Sequence, residues 1–140
     1  MTRRAIADTG PLVAFLDRAE RHHGWVSQKV AELEAPLLVC EPVLAEAMFL
    51  LARAHKGQDA LFGLLENGAL RVALHMDEHM SALRALLRKY QDRPMSLADA
   101  CVVRMAELYE RHAVLTLDSD FTIYRKQGGG QLALIRPDAD

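Results

Sequence analysis

Short apolar runs alternate with longer segments of helical periodicity along this sequence, and this alternation constrains the fold more than any other feature. The apolar runs are predicted strands at about residues 4–7, 36–40, 70–74, 113–117 and 132–136. The segments between them are predicted helices at about residues 9–16, 24–33, 41–55, 58–66, 76–90 and 97–111. Strands that alternate with helices indicate an α/β domain with a mainly parallel sheet.

The bulk composition restricts the class of protein. A length of 140 residues suits a single domain over residues 1–140, and 51% hydrophobic residues are enough to build a core. The formal net charge of -2 argues against nucleic-acid binding by bulk charge, although a local basic patch remains possible. We expect a soluble, cytoplasmic protein, because the sequence has neither a signal-peptide pattern nor an apolar run near membrane-spanning length.

The two cysteines have no metal-ligand spacing. Cys40 and Cys101 both lie inside apolar runs, so we expect them to be buried free thiols in a reducing compartment.

Four acidic residues, here called the acid cluster, are each the only charge in an apolar segment: Asp8, Glu46, Asp99 and Asp118. An ionised carboxylate in apolar surroundings is costly unless it is compensated, and no four basic residues occur in comparable settings to pair with these acids. Asp8 and Asp118 each follow a predicted strand, so both should reach the carboxyl edge of a parallel sheet, where such folds bind ligands. Glu46 is level with Val43 and Leu50 on its helix and is expected to point inward.

Carboxylates that converge without a basic partner predict a site for a hard divalent cation. Mg²⁺ and Mn²⁺ prefer oxygen ligands and retain water or substrate phosphate as further ligands. A cation held there would lower the pKa of a water molecule and offset charge on a phosphate group.

Three members of the acid cluster also have purely structural interpretations. Asp8 could cap the helix that follows it, and Asp118 could belong to a plain turn. Asp99 stands three residues after Ser96, which is the spacing of a capping box. Glu46 has no capping role in the middle of its helix. The metal site is the better explanation because it accounts for all four residues at once.

The segments DTGPLVAFLD, VLAEA, LADACVV and LTLDSDF resemble the PIN-domain ribonucleases, particularly the VapC-like toxins of toxin–antitoxin pairs. The resemblance extends from Asp8 to about Arg125, and the order and spacing of the motifs make it specific. It implies a PIN-like three-layer domain with a parallel five-stranded sheet between helices. It also implies an endoribonuclease for single-stranded RNA that depends on Mg²⁺ or Mn²⁺, with a cognate antitoxin as its partner.

The resemblance assigns the acid cluster as catalytic, metal-binding residues. Thr9 and Thr116 match the positions whose hydroxyls hold those carboxylates by hydrogen bonds. The last acidic position is ambiguous, because Asp118 and Asp120 both fit the pattern Thr-x-Asp-x-Asp-Phe. Asp120 therefore remains a candidate metal ligand.

Contacts with partners are less sharply defined. Four basic residues on or just after one predicted helix could bind RNA phosphates or form a solvated face, and these are Arg84, Arg88, Lys89 and Arg93. The methionine and leucine stripes suit either the core or the surface of an expected homodimer.

Two alternative functions remain open. A receiver-like or phosphatase-like α/β domain would also gather acids around Mg²⁺, but it predicts a second acid beside Asp8 or two residues after it, where Thr9 and Gly10 stand. A catalytically silent version of the nuclease fold would only bind a protein partner. The presence of all four acids argues against the silent version.

Overall fold

Five parallel strands form one sheet in the computed structural model, which describes residues 3–137. The strands are β1 (Arg4–Ala7), β2 (Leu37–Val39), β3 (Leu70–Val72), β4 (His112–Leu115) and β5 (Leu134–Ile135). Their order is β3-β2-β1-β4-β5, and every neighbouring pair is parallel. The predicted parallel sheet is confirmed. The three central strands β2, β1 and β4 consist mainly of buried apolar residues, as expected when helices cover both faces of a sheet, whereas Arg71 and Val72 of the edge strand β3 are exposed.

Six α-helices within residues 3–137 flank this sheet. They are α1 (Thr9–Leu16), α2 (His23–Glu32), α3 (Glu41–Leu51), α4 (Gly57–Glu66), α5 (Met80–Lys89) and α6 (Leu97–Leu108). Helix α1 packs against α2, α3 and α4, whereas α5 packs against α6, which also contacts β1 and β4. The architecture is a three-layer α/β fold. Cys40 and Cys101 are buried free thiols within it.

Helix α3 ends at Leu51, earlier than the predicted end near residue 55. The chain turns sharply into α4 through Lys56, which has a positive φ of 57°. A Cβ atom at Gly57 would lie 3.0 Å from the Cβ of Ala54 and 3.1 Å from Cδ2 of Leu51. The two helices therefore approach closely at a position where only glycine fits without displacement.

The predicted helix over residues 76–90 is divided in two. Met76–Glu78 forms a single 3₁₀ turn, and α5 begins only at Met80. Between them His79 leaves the helical region with a φ of -130°, and its Nδ1 receives a hydrogen bond from Nε of Arg104 at 3.1 Å. This contact with α6 joins residues far apart in sequence, so local periodicity could not reveal it.

Helix α6 likewise ends at Leu108, before the predicted residue 111. The next residue, Tyr109, has a φ of -111° and donates its hydroxyl to the carbonyl of Ala73 at 2.8 Å. Strand β1 has its predicted bounds, whereas the other four strands are shorter than predicted.

The parallel arrangement places the carboxyl ends of all strands at one edge of the sheet. At this edge the N–H of Asp8 donates to the carbonyl of Leu115 at 3.0 Å, and the N–H of Thr116 donates to that of Ile135 at 3.1 Å. The residues after β1 and β4 are thereby held next to each other. Within residues 3–137, no helix is long and apolar enough to cross a membrane.

Candidate active site

Asp8 lies directly after β1, and its side chain is only 6% exposed. The residue occupies the N-cap position of α1, but its carboxylate makes no capping hydrogen bond of the usual kind. Instead, Oδ2 of Asp8 accepts a hydrogen bond from the hydroxyl of Thr116 at 2.9 Å. The carboxylate is therefore held by the neighbouring strand end as well as by the backbone N–H of Thr9.

Thr116 connects two members of the acid cluster. Its side chain is fully buried, and its Oγ1 also accepts the backbone N–H of Asp118 at 3.0 Å. Oδ1 of Asp118 in turn accepts the N–H of Asp120 at 2.8 Å, which caps the 3₁₀ turn Ser119–Thr122. The turn considered from sequence is thus present, and it fixes Asp118 beside Asp8.

Asp99 lies in the first turn of α6 and forms the capping box expected from its spacing. Its N–H donates to Oγ of Ser96 at 3.0 Å, and its Oδ2 accepts the N–H of Ser96 at 3.2 Å. The same Oδ2 also accepts a hydrogen bond from the hydroxyl of Tyr124 at 3.2 Å. The capping role therefore accounts for only part of the surroundings of this carboxylate.

Glu46 does not point inward, so that prediction is wrong. The buried face of α3 consists of Val43, Ala47 and Leu51, whereas Glu46 is exposed at the side of this face. Consecutive helical residues lie about 100° apart, so a residue next to Ala47 cannot share its buried direction. Glu46 nevertheless reaches the site, because its Oε1 accepts the hydroxyl of Thr9 at 3.0 Å.

The carboxylates of the acid cluster influence each other electrostatically. The pKa of Asp8 is raised to about 6, chiefly by burial and in part by the negative charges of Asp99 and Asp118, against the lowering effect of hydrogen bonds. Burial is also the largest cause that raises the pKa of Asp99, with Asp118 contributing. Asp8, Asp99 and Asp118 therefore lie close enough to repel one another.

No cation from the protein relieves this repulsion in the part of the chain that the structure describes. None of the ion pairs among residues 3–137 includes a member of the acid cluster or Asp120. Three buried or half-buried carboxylates without a counter-ion are electrostatically unfavourable. A bound cation would remove this cost.

The donor set fits a hard divalent cation that keeps much of its own water. Over residues 3–137, no three His, Cys, Asp or Glu side chains are close enough together to hold a metal ion by themselves. Mg²⁺ tolerates such a site, because it usually takes one or two carboxylates and fills its remaining positions with water and phosphate. The carboxylate oxygens are the correct ligand type for Mg²⁺ or Mn²⁺.

The four basic residues predicted to contact RNA are all exposed but do not all line the same groove. Arg84 and Arg88 are exposed one turn apart on α5, in a groove with Met76 and Met80. Lys89 lines a different groove, and its Nζ lies 5.3 Å from the ring centre of Tyr90. Arg93 is exposed in the loop after α5. Arg84 and Arg88 are therefore the pair best placed to act together.

Tyr124 is a site residue that sequence reasoning did not identify. It is fully buried, and burial together with the charge of Asp99 raises the pKa of its hydroxyl. The only sequence signal is an aromatic residue three positions after Phe121, which fits packing within a core as well as contact with an acid.

The comparisons with known proteins agree with this architecture. Residues 5–127 match the PIN domain family. The chain is 34% identical over 134 residues to ribonuclease VapC26 of Mycobacterium tuberculosis, covering 93% of this chain and 98% of that protein. The crystal structure of Mycobacterium tuberculosis VapC20, described as a sarcin-ricin loop cleaving toxin, has a similar fold, with a TM-score of 0.75 and 21% identity. That similarity covers 95% of this chain and 99% of VapC20. The chain belongs to the PIN-domain family and, within it, to the VapC-type ribonucleases.

Proposed function

We propose that this chain is a metal-dependent endoribonuclease that cleaves phosphodiester bonds of single-stranded RNA at the acid cluster. One observation carries the assignment of the site. Asp8, Asp99 and Asp118 converge at the carboxyl edge of the sheet without a cationic partner among residues 3–137, and burial together with the charge of Asp118 raises the pKa values of Asp8 and Asp99. Such an arrangement stores repulsion that a divalent cation would offset.

The hydrogen bonds of the acid cluster support this assignment. The protein holds one carboxylate oxygen in each of three acids. The hydroxyl of Thr9 donates to Glu46, and the N–H of Asp120 donates to Asp118. Ser96 and Tyr124 both donate to Oδ2 of Asp99. The second oxygen of each of these three carboxylates has no hydrogen-bond donor among the described residues. These oxygens are therefore oriented and remain available to a cation.

The reaction follows from these positions. A bound Mg²⁺ or Mn²⁺ would activate water at neutral pH and offset charge on the phosphate. The carboxylates of the acid cluster would hold the cation, with Asp120 as an additional outer acid. Thr9 and Thr116 would keep Glu46 and Asp8 in place by the hydrogen bonds described above. Arg84 and Arg88 would contact RNA phosphates outside the site.

The biological role that we propose is that of a toxin acting in the cytoplasm, with RNA as its substrate and a cognate antitoxin as its inhibitor. The VapC family membership supports this role.

We also propose that the chain forms a homodimer, because several large apolar side chains are exposed: Phe49, Leu50, Met80 and Leu97. Exposed apolar surface of this kind often marks a protein interface. Light scattering during size-exclusion chromatography would test the dimer.

A cleavage assay tests the nuclease. Labelled single-stranded RNA is incubated with the purified protein in Mn²⁺, in Mg²⁺ and in chelator, and we expect cleavage only with metal. D8N, D99N and E46Q should each reduce the rate by orders of magnitude, because each removes a ligand charge. E66Q is the matched control, since Glu66 is an exposed helical glutamate at the end of α4. Wild-type protein that cleaves no RNA in either metal would favour the catalytically silent alternative.

A further inference from the structure

The hydroxyl of Tyr124 reaches Asp99 from the side of the protein core. It donates to Oδ2 of Asp99 at 3.2 Å, across a separation of 25 residues in sequence. A phenol is protonated at neutral pH and is therefore a hydrogen-bond donor there. Oδ2 already accepts the N–H of Ser96, so two donors hold this one oxygen.

An aromatic cluster fixes the ring of Tyr124. The ring centre lies 5.0 Å from that of Tyr90 and 5.2 Å from that of Phe121, both in edge-to-face arrangements. Tyr124 is fully buried, so its ring cannot turn away into solvent. The direction of its hydroxyl is therefore set by packing.

The backbone around Tyr124 is fixed as well. The guanidinium of Arg125 donates to the carbonyls of Thr122, Ile123 and Tyr124 at 2.7, 2.9 and 3.0 Å. The N–H of Arg125 donates to the hydroxyl of Tyr90 at 2.8 Å. The hydroxyl of Tyr124 is thus held in place by the packing of its ring and by the hydrogen bonds of its backbone. A donor that is held in place can position its acceptor, here Oδ2 of Asp99, because the donor cannot move with it.

We propose that Tyr124 is a positioning residue for the reaction, and this rests on the proposed function of Asp99 as a metal ligand. Its hydroxyl fixes Oδ2 of Asp99 against the core and leaves Oδ1 as the oxygen available to the cation. The capping box by itself holds Asp99 only through the local backbone of Ser96. Tyr124 adds a second restraint on the carboxylate of Asp99, from outside α6.

The test compares Y124F with Y109F. Y124F removes the donor to Asp99 and keeps the ring, whereas Y109F removes a hydroxyl that donates to the carbonyl of Ala73 and makes no contact with Asp99 or Tyr124. Mn²⁺ binding is measured directly by electron paramagnetic resonance, and melting temperatures are measured in chelator. Loss of a hydrogen-bond partner behind a metal ligand weakens affinity by about 10- to 100-fold. We expect Y124F to raise the dissociation constant for Mn²⁺ about tenfold, and Y109F to leave it unchanged.

A Y124F protein with wild-type Mn²⁺ affinity would overturn the inference, and so would an equal loss of affinity in Y109F. The double variant D99N/Y124F should bind Mn²⁺ no more weakly than D99N, because the hydroxyl acts through Asp99. A further loss in the double variant would mean that Tyr124 acts by another route. If D99N itself leaves Mn²⁺ binding unchanged, the proposed function of Asp99 fails. If D99N binds Mn²⁺ more weakly than wild type while Y124F binds it with wild-type affinity, only the inference on Tyr124 is wrong.

Discussion

Thr116 donates its hydroxyl to Oδ2 of Asp8 at 2.9 Å and so joins the ends of two neighbouring strands across 108 residues of sequence. The same oxygen of Thr116 accepts the N–H of Asp118 at 3.0 Å. One buried hydroxyl thus connects two acids that would otherwise only repel each other. Its removal has consequences for both stability and activity.

We expect T116V to destabilise the protein and to reduce cleavage. The valine cannot donate to Asp8 and leaves the N–H of Asp118 without its acceptor, which costs about 1–3 kcal/mol for an unsatisfied buried group. T116S keeps the hydroxyl and should retain most of the activity. Urea unfolding in chelator and cleavage rates in Mn²⁺ provide the two measurements. Equal activity of the two variants would remove Thr116 from the site.

The raised pKa of Asp8 predicts how stability depends on pH in the absence of metal. Because its pKa rises from 3.8 to about 6 on folding, the native state binds more protons than the unfolded state between these values. Stability must then decrease as pH rises through this window, by about 3 kcal/mol for this group. We expect urea unfolding in chelator to show this decrease for wild type relative to D8N, whose asparagine does not titrate.

Metal should reverse this trend at neutral pH. Added Mn²⁺ binds the folded wild type and raises its melting temperature, whereas D8N should gain less. A wild type and a D8N variant with parallel pH profiles in chelator would contradict the raised pKa of Asp8. If Mn²⁺ raised the melting temperatures of wild type and D8N equally, the role of Asp8 as a metal ligand would be contradicted.

Asp118 should matter more than Asp120. Asp118 raises the pKa values of both Asp8 and Asp99, whereas Asp120 contributes its N–H to the carboxylate of Asp118. We expect D118N to reduce cleavage at saturating Mn²⁺ by orders of magnitude and D120N by less than about tenfold. The reverse order would identify Asp120 as the ligand.

Arg84 and Arg88 are expected to act as a pair on RNA. The double variant R84A/R88A should weaken RNA binding and reduce the dependence of log Kd on log salt by about 1.4, because each lost phosphate contact on a single strand contributes about 0.7. Fluorescence anisotropy with D8N protein and labelled RNA avoids cleavage during the measurement. R18A/R21A, which removes two exposed arginines after α1, is the control. Identical salt dependences in both double variants would show that α5 does not bind RNA.

Expression of the chain alone in a bacterium should arrest growth, since the proposed activity destroys RNA. The D8N variant should not arrest growth when it accumulates to the same level, because it lacks one ligand charge. Colony counts after induction, with protein levels from immunoblots, provide the comparison. Equal arrest by the two proteins would mean that the effect does not arise from the acid cluster.

The sequence by itself determined the class of fold and indicated the candidate acids. Strand and helix periodicity are local properties, so the alternation of elements predicted the parallel sheet. The isolation of Asp8, Asp99 and Asp118 among apolar neighbours is also visible along the chain. Because a parallel sheet brings its carboxyl ends to one edge, the convergence of Asp8 and Asp118 followed from the same pattern.

Tertiary structure decided the long-range contacts that hold these residues, whereas the capping box of Asp99 with Ser96 was already predicted from their spacing. Glu46 lies beside the buried face of α3 rather than on it, and its place in the site depends on the hydroxyl of Thr9. The partner of Asp99 is Tyr124, which no local pattern distinguishes from an ordinary core aromatic. Such contacts join residues far apart in sequence, and their geometry depends on how helices pack on the sheet. Periodicity indicates which face of an element is buried, but not which side chain of another element contacts that face.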